Sequence, residues 1–118
     1  MRASPGEVTM TYQIVSMNEA VEVTTEVERG ILGKIGKLDK FLTQFDDDTF
    51  FIRIQLDRDQ RNPRWVDAQV RLTLPQDMLI GHAAASTAVH AVHLAVRELE
   101  AQLRDYKQLT HPANPMIS

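Results

Sequence analysis

Glycines at 30, 33 and 36 and lysines at 34, 37 and 40, all within GILGKIGKLDK, are the first residues whose types and spacing suggest chemistry. Glycine beside lysine is how many loops wrap a phosphate. A Walker loop places four residues between its first glycine and the Gly-Lys pair, then Ser or Thr. Here five residues separate Gly30 from Gly36, and Leu38 follows Lys37. The G-x-G-x-x-G dinucleotide fingerprint is absent too. The stretch is not a nucleotide cradle. Its apolar neighbours Val27, Ile31, Ile35, Leu38 and Leu42 instead share one arc at 100° per residue. On such a helix the glycines, with Lys34, Lys37 and Lys40 and with Arg29 at the edge, form a smooth cationic strip expected to face solvent. A smooth backbone lets a partner come close, and long lysines then reach phosphates. Plain solvation of an exposed face is the alternative.

The other candidates are sparser. His90, Arg97 and Arg104 recur every seven residues, with Lys107 alongside, and make a second cationic stripe. His82, His90 and His93 suggest a metal site, but no nearby acid or cysteine completes a ligand set. The apolar stripe is also expected to hold His90 and His93 apart, so no metal or other cofactor is expected. Serines and threonines sit mostly at helix starts, and Asp46, Asp47 and Asp48 lack the spacing of a calcium loop. No catalytic arrangement emerges, and the chain reads as a binding protein rather than an enzyme.

These residues belong to a chain of 118, enough for one domain with one core. There is no cysteine, which removes disulfides and thiolate metal sites. No apolar run has the length of a membrane span, and the N-terminus lacks a signal-peptide core. A cytoplasmic protein is expected. The net charge of −3 argues mildly against nucleic-acid binding, so any such role must rest on segregated charge.

The elements that must position these groups follow from periodicity. Residues 1–10 read as a flexible leader, 11–108 as a single domain and 109–118 as a flexible tail. Thr11 to Met17 suits a short strand. Thr24 or Thr25 caps a helix of about 18 residues, closed by the Asp46–Asp48 loop. In TFFIRIQLDRD, Phe50, Ile52, Ile54 and Leu56 face one way, and Phe51, Arg53, Gln55 and Asp57 the other. RWVDAQVRLTLP alternates likewise, so the two make an antiparallel hairpin with one wet face. Met78 to Ala83 suits a fourth strand. Ser86 or Thr87 then caps a helix of about 20 residues carrying Val89, Val92, Val96, Leu99, Leu103 and Tyr106. The fold class is α+β, in the order β-α-β-β-β-α, with both helices on the apolar face of a four-stranded sheet. Trp65, Phe51 and the arginines fall on the opposite face.

EVTTEVERGILGKIGKLDKFL resembles the opening helix of the hibernation-promoting factors, or ribosome-associated translation inhibitors. Glu22, Val23, Thr24, Lys34, Lys37, Leu38 and Phe41 match without a gap. In AVHLAVRELEAQLRDYK, Ala91, Val92, Val96, Leu99, Gln102, Leu103 and Lys107 fit a second anchor. The resemblance covers residues 11 to about 108 and points to a short, divergent form. It implies a fold similar to double-stranded RNA-binding domains. It implies binding to the small ribosomal subunit and its rRNA, in the channel used by mRNA and tRNA, without an active site. Lys34 and Lys37 are the best-matched contacts and Lys107 is next. With the periodicity, the RNA-binding set becomes Arg29, Lys34, Lys37, Lys40, His90, Arg97, Arg104 and Lys107. Glu28 stands where the family has arginine, and Glu98 and Ala101 replace a lysine and an arginine. The alternative is a domain that keeps the fold but serves protein–protein contact, as a homodimer through the exposed sheet face.

Overall fold

The computed structural model describes residues 11–42 and 49–110, with side chains up to 105 in the last helix. The expected leader, the Asp46–Asp48 loop and residues 111–118 of the tail lie outside the described residues.

Strand β1 spans Tyr12–Ser16, followed by a 3-10 turn, Met17–Glu19. Helix α1 spans Thr25–Ile35, a second 3-10 turn Gly36–Leu38, and α2 Asp39–Leu42. Then come β2 Phe51–Arg58, β3 Val66–Leu74, β4 Asp77–Ala85 and α3 Ala88–Thr110. The sheet order is β1-β2-β3-β4; β1 pairs parallel with β2, and the other neighbours are antiparallel. A parallel pair requires a crossover, and α1 with α2 supplies it.

Alternation decides the layers as expected. Ile52, Ile54 and Leu56 of β2 and Val66, Ala68, Val70, Leu72 and Leu74 of β3 are buried. Ile31, Ile35, Leu38 and Leu42 meet them from the first helical stretch, and Val92, Val96, Leu99 and Leu103 from α3. Both helical segments thus cover one face of the sheet. The hydroxyl of Thr24 accepts from the Val27 amide at 3.1 Å, and that of Thr87 from the His90 amide at 3.2 Å. Each cap satisfies an amide that the helix itself leaves unpaired.

Two expectations change. The first helix is not continuous, because Gly36 opens a 3-10 turn before α2. Glycine holds a helix weakly, and the tighter turn still delivers Leu38 to the core. The three glycines also do not form one solvent-facing strip. A Cβ on Gly30 would stand 2.8 Å from Val89 Cγ2, whereas Gly33 and Gly36 have nothing within 4 Å. Gly30 is where α1 and α3 touch.

A closer approach lies under α3. A Cβ on Gly81 of β4 would stand 2.1 Å from the Ala95 carbonyl oxygen. Buried Ala88, Ala91 and Ala95 line the same side of α3, so the helix rests almost backbone to backbone on the sheet. From that seat α3 completes the outer edge of β4. Glu98 Oε1 accepts from the His82 amide at 3.0 Å, and Gln102 Nε2 donates to the Ile80 carbonyl at 2.7 Å. Unpaired edge groups invite pairing with foreign strands, and here side chains occupy them.

Gly81→Ala forces backbone apart and is expected to cost about 3 kcal/mol or more. Gly33→Ala meets open space and is expected to stabilise by about 1 kcal/mol. Gly30→Ala must displace Val89 and is expected to fall about 1–3 kcal/mol below Gly33→Ala. Urea unfolding of the three variants checks this order.

Candidate nucleic-acid interface

The contact between α1 and α3 gathers cations. Lys34, Lys37, His90 and Arg97 all lie close enough to His93 to act on its charge. Lys34 comes from the flank of α1 that faces α3, and Lys37 from the 3-10 turn beyond it. His90 and Arg97 stand one turn before and after His93 on α3. Four-residue steps keep side chains on one face, which is why Arg97 follows His93 there.

The two histidines are neighbours, not separated groups. Their ring centroids lie 6.0 Å apart with planes 21° from parallel. The expectation that the apolar stripe would divide them fails, because residues three apart in a helix stand on adjacent flanks of one face. His82 is elsewhere, on the open sheet face, where its Nε2 contacts Asp67 Oδ1. The three histidines therefore do not converge, and no metal-sized group of His, Cys, Asp or Glu occurs among the described residues.

His93 is the most constrained member. Its Nδ1 is buried and has no hydrogen-bond partner among the described residues. Burial pushes its pKa below the ordinary histidine value, and the charges of Lys34, Lys37, His90 and Arg97 push the same way. The imidazole is thus held neutral inside a cationic ring that repels a further proton. A phosphate placed there would meet several donors and relieve the mutual repulsion. Gly33 and Gly36 leave the outer backbone beside Lys34 and Lys37 bare.

The remaining expected residues fall outside this cluster. Arg29 is exposed, five residues before Lys34 and so about 140° round the helix. Lys40 lies in α2, with its Nζ 5.2 Å from the Phe41 ring centre, a cation–π contact. Arg104 is exposed two turns beyond Arg97 and extends the stripe along α3. Lys107 belongs to α3, but its side chain lies outside the described residues.

Glu28 has a structural employment. Its Oε2 accepts from the Tyr12 hydroxyl of β1 at 3.0 Å, on the opposite flank of α1 from Lys34. Burial first, and Glu28 second, raise the Tyr12 pKa, so the phenol remains the donor. An acidic residue at this position faces the sheet and puts no charge into the cluster. Glu98, likewise, is spent on the edge of β4.

Sequence reasoning left His93 out of the RNA-binding set. The signal was there in its spacing from His90 and Arg97, but its neighbours on α1 required the helix packing. No helix among the described residues is long and apolar enough to cross a membrane.

Solved structures share this architecture. The N-terminal domain of Thermus thermophilus protein Y superposes with a TM-score of 0.64 at 18% identity, covering 82% of this chain and 98% of that one. A ribosomal subunit interface protein from Coxiella burnetii gives 0.60 at 19% identity, covering 83% and 98%. No curated protein sequence matches the chain significantly. The profile of one family, described as sigma 54 modulation protein / S30EA ribosomal protein, matches residues 13–110. That match spans every element from β1 to α3 and both helices that build the cationic cluster, and the chain belongs to this family.

Proposed function

We propose that the chain is a ribosome-associated translation inhibitor of the hibernation type. It binds the small ribosomal subunit in the mRNA and tRNA channel and lays the ridge between α1 and α3 on ribosomal RNA. The observation that carries this reading is the convergence of Lys34, Lys37, His90 and Arg97 on His93 from two helices. Family membership supports the ribosome as partner, as do the names of the similar structures. Inhibition needs no bond-making step. A folded domain in the channel excludes other RNA, and phosphate neutralisation holds it there. Such a protein works in the cytoplasm.

The overall charge of −3 is compatible with this role because the charges are segregated. Glu28 and Glu98 are turned toward β1 and β4, while the cations crowd the α1–α3 ridge. Recognition would be mainly of backbone phosphates, because lysines act as point charges without a base-reading geometry.

Lys34→Glu combined with Lys37→Glu is expected to abolish most co-sedimentation with small subunits while shifting the thermal midpoint little; unchanged pelleting removes this ridge from the interface. With four or five phosphates neutralised, log K is expected to fall with log salt at a slope of about −3 to −4. A flat titration excludes phosphate contacts.

His93 predicts opposite pH effects on folding and on binding. Its folded-state pKa lies below the ordinary value, so the folded and unfolded chains are both neutral there above about pH 6.5. As pH falls further, the unfolded chain takes up a proton that the folded chain refuses, and stability is lost. The thermal midpoint of the native protein is therefore expected to drop more between pH 7.5 and 5.5 than that of His93→Gln. A bound phosphate favours the protonated ring, so RNA affinity is expected to rise from pH 8 to pH 6, and to rise less in the variant. Equal responses of the two proteins in both assays refute the role of His93.

A further inference from the structure

The sheet face turned away from the helices carries its charges in like-signed rows. Arg53 stands directly across from Arg71, and Asp57 directly across from Asp67. Between them lies the uncharged pair Gln55 and Gln69. Like charges in directly opposed positions destabilise a sheet. Each row costs the isolated domain something, and their order is cation, amide, anion along both strands. Nothing among the described residues offsets the first row: Arg53 Nε and Arg71 Nε are buried without hydrogen-bond partners. Among the described residues, Asp67 meets only the imidazole of His82, itself largely exposed.

We propose that this face pairs with the same face of a second copy of the chain. A two-fold axis lying between the sheets, across the strands at the level of Gln55 and Gln69, reverses the strand direction of the partner. Rows two residues to either side of the axis then exchange places. Arg53 and Arg71 of one copy come over Asp57 and Asp67 of the other, and the reverse holds at the other end. The offset is the same on both sides, about 7 Å along the strand. One operation therefore satisfies both rows at once, as an isologous contact requires.

The apolar groups obey the same operation. Thr73 lies between Phe51 and Met78 in register, beyond the arginine row. Trp65 lies beyond the aspartate row, where its carbonyl accepts from the Asp59 amide at 3.1 Å. The two-fold lays Trp65 of one copy over Thr73 of the other, between Phe51 and Met78. Trp65 is 43% exposed and Met78 47% exposed in the single chain, so both have surface to lose. In the hairpin loop, Arg61 and Arg64 go to the end that bears Asp77. The shallow depression lined by Met17, Gln55, Asp57, Asp67, Gln69 and His82 receives the partner's Arg53 and Arg71.

Three strands of eight or nine residues and one of five offer a footprint of roughly 500 Å², before side-chain relief is counted. That is below a standard interface, so the dimer belongs to the weak, reversible class and is expected at concentrations of tens of micromolar and above. It leaves the α1–α3 ridge uncovered, and the pairing neither requires nor prevents ribosome binding.

Charge reversal tests the pairing. One variant carries Arg53→Glu with Arg71→Glu, and the other Asp57→Lys with Asp67→Lys. In sedimentation equilibrium up to about 200 µM, the native chain is expected to dimerise, each variant to remain monomeric and their equimolar mixture to dimerise again. A native chain monomeric throughout overturns the proposal and leaves the face to a different partner. Variants that dimerise alone, or a folded pair that fails to associate, overturn it too. The native sequence has no cysteine, so Gln55→Cys sets a single thiol beside the axis. Oxidation is expected to join two copies covalently through Gln55→Cys but not through the helix-side control Glu26→Cys. This arm decides the matter if a charge-reversed variant does not fold. Ribosome pelleting of Gln55→Cys, kept reduced, reports on the ridge separately.

Discussion

The approach of α3 to β4 sets the geometry of the molecule. Gly81 lies beneath the Ala95 carbonyl, and any side chain at that position would lift the helix. With α3 seated so deeply, small Ala88, Ala91 and Ala95 suffice on its lower side, and longer residues fill the space toward α1. The same seat fixes the azimuth of α3. Glu98 and Gln102 consequently reach the outer groups of β4, and His90, His93 and Arg97 turn toward α1. Gly30 repeats the device one layer up, because its missing Cβ admits Val89 and brings Lys34 next to His93.

The cationic cluster and the core are therefore products of one packing decision, and they pull in opposite directions. Helix packing favours the close contact, whereas Lys34, Lys37 and Arg97 repel one another across it. The protein limits that cost by leaving His93 uncharged and by keeping the lysine heads on flexible stems. Glu28 and Glu98 would relieve it further if they faced the ridge. They are committed instead to Tyr12 and to the edge of β4, which leaves the ridge open to an outside anion.

Much of this was legible in the residues. Period-two alternation sorted Ile52, Ile54, Leu56 and Val70 to the core face, and the heptad-like run from Val92 to Leu103 sorted α3. Thr24 announced its cap through the first-turn acids that follow it. What alternation cannot provide is position across elements. Gly30 and Gly33 look alike in sequence, yet one touches Val89 and the other touches nothing. The break at Gly36 depends on a small balance between helical forms that periodicity does not register. Phase within a single helix misjudged His90 and His93, whose ring directions decide their contact. The facing of Arg53 with Arg71 needed the hairpin register, which follows from the length of the loop closed by Asp59 and Trp65.

Because α3 follows the whole sheet in the chain, the polar groups of β4 and the apolar side of the sheet wait for α3 to be made. During synthesis, β1 to β4 emerge first, with the His82 amide and the Ile80 carbonyl uncovered. An edge of that kind accepts strands from any neighbouring nascent chain. Docking of α3 therefore does two things in one event: it closes the core, and it withdraws the sheet from the pool of surfaces available for misassembly.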